Sequence, residues 1–196
     1  MKVRNYSTGW GLPSIALHWL SVLLILSIAV IGLYMTEMPN SMLKLKTYAL
    51  HKSLGLTILG LTVLRLAWRL YAGAPDPVPD TARWQRRAAS ASHALMYATL
   101  ILLPLSGWAY NSASNFALQW FGLINLPRLV PADPVLKPLA LTVHNGLFWA
   151  LMALVLIHAI AALWHHLARR DATLVRMLPV LVHDPKSPDP TAKTRQ

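Results

Sequence analysis

Residues 139–168 read LALTVHNGLFWALMALVLIHAIAALWHHLA. The stretch holds no Asp, Glu, Lys or Arg, and an apolar helix needs about 20 residues to cross a bilayer. Two of its four histidines, His144 and His158, sit well inside it. Histidine within a membrane span is costly and points to function. These two are 14 positions apart, which on an α-helix leaves them about 40° apart around the axis and roughly 21 Å apart along it. One helix face therefore shows an imidazole near each side of the membrane.

Three more apolar runs precede this one. They cover about 14–35, 48–70 and 90–110. Lys52 lies near the start of the second, and Arg65 and Arg69 lie near its end, where long side chains can reach the interface. Pro104 falls inside the third and is expected to kink it, with neighbours satisfying the freed carbonyl. Lys2 and Arg4 ahead of the first run resemble the start of a secretory signal. That run exceeds the usual ~7–15 residues of a signal, lacks a small-residue cleavage site and contains His18. The expected fold is an all-α integral membrane bundle of four transmembrane helices, one domain over 1–182, with a disordered tail over 183–196.

Composition agrees. Of 196 residues, 55% are hydrophobic and 13% charged, about half the charge of a soluble domain. The net charge of +11 falls at span edges rather than on one face, which argues against nucleic-acid binding. Arg4, Arg69, Arg83, Arg86, Arg87, Arg169, Arg170 and Arg176 gather on the side of the termini, against Lys44, Lys46, Lys52, Arg128 and Lys137 on the other. The positive-inside rule places both termini in the cytoplasm of a multi-pass membrane protein. The connection over 71–87, rich in Pro and Asp, reads as a turn. In the long connection over 111–138, Phe116, Trp120 and Phe121 mark a short segment on the outer interface. The eight tryptophans lie mostly near span ends, as interfacial anchors do.

The absence of cysteine removes disulfides, thiolate metal sites, iron–sulfur clusters and thioether-attached haem. Histidines are then the main soft ligands. A b-type haem takes an axial imidazole on each side of its iron, so the long helix can supply one ligand to each of two haems stacked across the bilayer. Depth matches His144 with His51 on the outer side, and His158 with His18 or His93 on the inner side. Arg65 follows His51 by 14 residues, shares its face, and is a candidate partner for a haem propionate; snorkelling to lipid phosphate is the other reading. Lys52, Lys46 and Lys44 are the corresponding outer cations. His165 follows His158 by seven residues, about 20° away, and a histidine there suits proton delivery to a quinone. His166 points elsewhere, and His183 reads as solvated. Gly55 and Gly60 allow close packing or close approach of a macrocycle.

The pieces IALHW at His18, HKSLG at His51, SGWAYNSASNFALQWFGLINLPRL, HNGLFWALMALVLIHAIAALWHH and DATLVRMLP resemble the bacterial cytochrome b561 proteins over about residues 5–179. The resemblance implies two non-covalent haem b groups. It implies that His18 pairs with His158 and His51 with His144, that His93 lies near the inner haem without ligating it, and that quinone binds near His165. The compact members look like superoxide oxidases, which pass electrons from periplasmic superoxide through two haems to ubiquinone. The outer side carries five basic residues against Glu37 and Asp133, and such a surface steers anions; Lys44, Lys46, Arg128 and Lys137 are the candidate steering residues. A second expectation is a cytochrome b subunit docked to a dehydrogenase or other redox partner protein. A third is transition-metal transport through the histidines, although acidic and thiol residues are missing from the spans.

Overall fold

The computed structural model describes residues 3–79 and 81–178. Lys2, His183 and the tail expected to be disordered lie outside the described residues. Among the described residues are four long helices: α1 (Leu12–Glu37), α2 (Met42–Ala72), α3 (Arg83–Ala113) and α4 (Leu136–Leu167). Each contains a stretch long and apolar enough to cross a membrane. A small hairpin, β1 (Leu118–Trp120) and β2 (Ile124–Leu126), separates α3 from α4, and one 3₁₀ turn (Val175–Met177) follows α4.

Local chemistry sets the boundaries. Pro13 occupies the first turn of α1, where its missing N–H is no loss. Ser41 caps α2, its hydroxyl accepting from the Lys44 N–H. Gly73 ends that helix at φ 77°, and the prolines that follow cannot continue it. Asp133 caps α4 by accepting from the N–H groups of Val135 and Leu136. Both α2 and α3 outrun the apolar windows: Arg83–Arg87, read above as part of a turn, is the first turn of α3. Hydropathy senses the bilayer interior and misses a helix that continues past it. Chain passes unbroken through Pro104.

Within the spans, hydroxyls turn back on their own helix. Ser21, Ser53, Thr62 and Thr99 donate to the carbonyls of Leu17, Ala49, Ile58 and Leu95, which satisfies them without water. α1 packs along α2, α3 along α4, and α2 meets α3. The four helices converge in one apolar layer built on Ile58, Leu100 and Leu151, with Leu24, Ile25, Leu61 and Val155 around it. Large apolar side chains such as Leu23, Val30, Leu156 and Ile160 face outward, as lipid contact requires.

The segment expected at the outer interface is the hairpin, folded down onto α2. Ser53 accepts from the Phe121 N–H, and Trp120 donates to Thr57. Phe121 and Gly122 both have positive φ, as the tight hairpin turn demands. At the opposite end three segments close together. Asn5 donates to the Gly73 carbonyl, Arg176 to the Asp76 carbonyl and Trp19 to the Met177 carbonyl. Several indoles thus bond protein groups, and do more than anchor at an interface. These contacts bring both termini to one end of the bundle, called here the terminal end; the hairpin marks the far end.

Candidate functional site

At the far end, His51 of α2 faces His144 of α4 with ring centres 6.3 Å apart at an interplanar angle of 75°. His144 Nδ1 lies 3.0 Å from the Leu103 carbonyl. A carbonyl only accepts, so Nδ1 carries the ring proton and Nε2 keeps its lone pair. The Ser106 hydroxyl sits 3.2 Å from the same nitrogen. His51 has a parallel setting: its buried Nδ1 faces the Ile28 backbone without reaching hydrogen-bond geometry. Each ring also rests against a glycine one turn beyond that carbonyl. A Cβ on Gly32 would stand 3.0 Å from His51 Cε1, and one on Gly107 would stand 3.0 Å from His144 Cε1. Gly55 and Gly60, singled out from the sequence, meet nothing within 4 Å. Within the helices, the glycines that permit close approach of an imidazole are Gly32 and Gly107, and nothing in the sequence marked them, because the histidine each one meets lies on the neighbouring helix.

At the terminal end, His18 of α1 faces His158 of α4, again at 6.3 Å, with an interplanar angle of 65°. His93 of α3 is nearer, 5.4 Å from His158. Arg65 Nη2 lies 3.0 Å from His18 Nδ1. A guanidinium only donates, so His18 Nδ1 accepts here. The Arg65 guanidinium also lies 5.6 Å from the centre of the Tyr97 ring. It therefore turns into the bundle rather than out to lipid phosphate.

The spacing can be tested against an iron. A metal–imidazole bond of about 2 Å, plus roughly 1.1 Å from each nitrogen to its ring centre, puts two trans imidazoles about 6.3 Å apart. Both cross-bundle pairs have that separation. His93 and His158 are closer than that. The apolar layer lies between the two pairs, which occupy opposite ends of α4. Four residues on three helices thus form two couples, each spaced to hold a haem iron, and His93 stands beside the terminal-end couple.

Lys52 donates to Asn111 at the far end (3.2 Å), and Lys44 donates to the Met38 carbonyl (2.7 Å). Lys46 lies in the first turns of α2, Lys137 in the first turn of α4 and Arg128 in the connection before it, so all five basic residues share that end.

His165 closes the terminal end of α4. Its Nδ1 is 2.5 Å from Asp171 Oδ2, and the Trp164 ring stands edge-on to it at 5.2 Å. Arg170, at φ 52°, turns the chain back so that Asp171 reaches this nitrogen. Partial burial alone would raise the Asp171 carboxyl. Hydrogen bonds from His165 and from Thr173, with the charge of His165, outweigh it and hold the carboxyl at about 2. A depressed carboxyl stabilises the fold fully above its unfolded value near 3.9, and the effect is lost as pH falls through about 2. Asp171 is therefore anionic throughout the physiological range. Sequence reasoning missed it because it lies six residues beyond His165, past the end of the helix, where only a left-handed turn brings it back.

The histidine arrangement agrees with what the chain is similar to. The prokaryotic cytochrome b561 family matches residues 9–180. Cytochrome b561 homolog 2 of Escherichia coli (strain K12) is 30% identical over 179 residues, covering 91% of this chain and 95% of that protein. Cytochrome b561 homolog 1 of the same organism is 32% identical over 168 residues, covering 84% and 94%. The probable superoxide oxidase CybB of Yersinia pestis is 30% identical over 169 residues, covering 84% and 93%. With four apolar helices and imidazoles spaced for iron at both ends, this chain belongs to the prokaryotic cytochrome b561 family, membrane proteins that bind b-type haem and transfer electrons.

Proposed function

We propose that this cytochrome oxidises superoxide at its far end and reduces ubiquinone at its terminal end. The observation that carries the reading is the pair of imidazole couples, each at 6.3 Å, on opposite sides of an apolar layer. His51 and His144 ligate the far-end haem, and His18 and His158 the terminal-end haem. A haem held at either pair would supply a one-electron carrier. The remaining tasks fall to the chain. The Leu103 carbonyl fixes the His144 tautomer, which leaves Nε2 for iron. At His18 the donor is Arg65; holding a haem iron through Nε2 would require the His18 proton on Nδ1, and Arg65 would then be free to pair with a propionate. Lys52 serves the far-end haem in the same way. His93 packs beside the terminal-end group.

The far end faces the periplasm of a bacterial inner membrane, and both termini face the cytoplasm. What supports this orientation is the collection of Arg4, Arg69, Arg169 and Arg176 at the terminal end. There Arg4 lies over Tyr71, Arg69 over Trp10, Arg169 bonds Gln85 and Arg176 bonds Asp76. Superoxide is the favoured donor because it is a small anion, the far end is basic, and a relative carries the name of probable superoxide oxidase. Lys44, Lys46, Arg128 and Lys137 raise the rate of encounter. His165 contacts the quinone. Two superoxide anions, one quinone and two protons become two dioxygen molecules and one quinol.

Purified holoprotein given a steady superoxide source and ubiquinone is expected to form one quinol per two superoxides. The rate is expected to fall several-fold between low and physiological salt, as steering is screened. Neutralising Lys44 and Lys46 together is expected to lower the rate at low salt and flatten its salt dependence. No quinol from a protein that holds both haems would overturn the superoxide reading and leave a cytochrome b subunit docked to a dehydrogenase.

A further inference from the structure

We infer that Asp171 is a positioning residue for proton delivery to quinone, holding His165 in the one orientation and tautomer that lets its Nε2 act as the acid. This rests on the quinone-reducing reading above. The geometry is specific. Arg170 in the left-handed region reverses the chain, and the Asp171 N–H closes the turn onto the His165 carbonyl at 3.2 Å. Asp171 divides its two oxygens. Oδ1 accepts from the Thr173 N–H at 2.9 Å, which pins the carboxylate, and Oδ2 accepts from His165 Nδ1. Trp164 then blocks one side of the imidazole. The ring cannot rotate without breaking the bond to a carboxylate, so Nδ1 is committed and Nε2 is left for a ligand. The two side chains are 18% and 16% exposed: shielded enough to be ordered, open enough to exchange protons with water.

The charge setting makes the carboxylate matter. Around His165 at this end stand Arg169, Arg170 and His166 on α4 and the turn after it. Arg83, Arg86 and Arg87 lie in the first turns of α3, Arg176 in the closing 3₁₀ turn, and Arg4, Arg65, Arg69 and His18 on the N-terminal segment, α2 and α1. Asp171, anionic throughout the working range, is the group in direct contact that offsets them. This is the relation in which a carboxylate orients a histidine and stabilises its protonated form. The reaction then balances. Quinone takes two electrons, one from each of two superoxides, which leave as dioxygen. One quinone oxygen takes its proton from His165 Nε2–H, which is reloaded from cytoplasmic water. The other oxygen takes its proton from water directly.

The test is stopped-flow reoxidation of dithionite-reduced holoprotein by ubiquinone, in parent, Asp171→Asn and Asp171→Glu, from pH 5.5 to 8.5. This removes superoxide from the assay. Asp171→Asn is expected to keep both haem bands and unchanged reduction by superoxide. Its reoxidation is expected to slow about tenfold at pH 7, less than the roughly 100-fold or more for losing a general acid outright because His165 itself remains, and the rate is expected to decline at a lower pH than in the parent. Asp171→Glu is expected to recover most of the rate and the parental pH profile. If parent and Asp171→Asn are reoxidised at the same rate with the same pH profile, the positioning role is wrong and the quinone reading stands. If quinone fails to reoxidise the parent, both are wrong.

Discussion

His144→Ala is expected to leave one haem per chain, and His158→Ala to leave the other. In the proposed assignment α4 supplies a ligand to each end, so each variant should remove one carrier and spare the opposite pair. In His144→Ala, His51 faces an empty position while His18 and His158 keep their 6.3 Å spacing; in His158→Ala, the far-end pair keeps its own. Haem quantification should fall to half in each case, and redox titration should retain a single component, at a different potential in each variant. Electron transfer from superoxide to quinone should drop to background in both, because the path has no branch. Added imidazole should restore the second haem, since removing the side chain leaves a space of that shape. Full haem content in either variant would sink the ligand assignment. Full haem in His158→Ala alone, with loss in His93→Ala, would move the terminal-end ligand from His158 to its 5.4 Å neighbour His93.

Gly32→Ala and Gly107→Ala are expected to damage the far-end haem and spare the terminal-end haem, although neither glycine is a ligand. The added Cβ would stand 3.0 Å from a ring carbon of His51 in one case and of His144 in the other. Backbone cannot retreat inside a packed helix pair, so the imidazole must move by a few tenths of an ångström. Overpacking of this kind costs about 1–3 kcal/mol, and each 1.4 kcal/mol is about tenfold in affinity. Haem retention at the far end should therefore weaken roughly tenfold or more in each variant, and further in the double variant. The controls are Gly60→Ala and Gly146→Ala, where a Cβ meets nothing within 4 Å and which lie on helix faces about 180° and 160° from His51 and His144. Equal haem loss in the controls would mean that helix stability, rather than ring position, was being measured.

The two glycines also show a relation between the helix pairs. In α1 and α2, Ile28, Gly32 and His51 form one set; in α3 and α4, Leu103, Gly107 and His144 form another. In each, a backbone group lies beside the ring and a glycine one turn later makes room for it. The bond is made at His144 and falls short at His51. The same device on both sides of one iron would hold its two ligands in a fixed relative orientation.

The sequence by itself determined the number of spans, the histidine-bearing face of α4 and the depth at which each imidazole lies. These follow from a helix period and a bilayer thickness, which are local quantities. It also determined that both termini share one end, because four spans leave no other result. Helix ends were less legible: Arg83–Arg87 joined α3 because the chain stays helical after hydropathy has fallen. The tertiary structure alone decided what crosses between helices. It turned Arg65 onto His18 and put Gly32 and Gly107, rather than Gly55 and Gly60, against imidazoles. It folded the segment around Trp120 into a hairpin on Ser53 and Thr57, and curled Asp171 back to His165. Each of these depends on the rotation of one helix against another or on a single left-handed residue. Periodicity fixes which residues share a face, but not what that face meets.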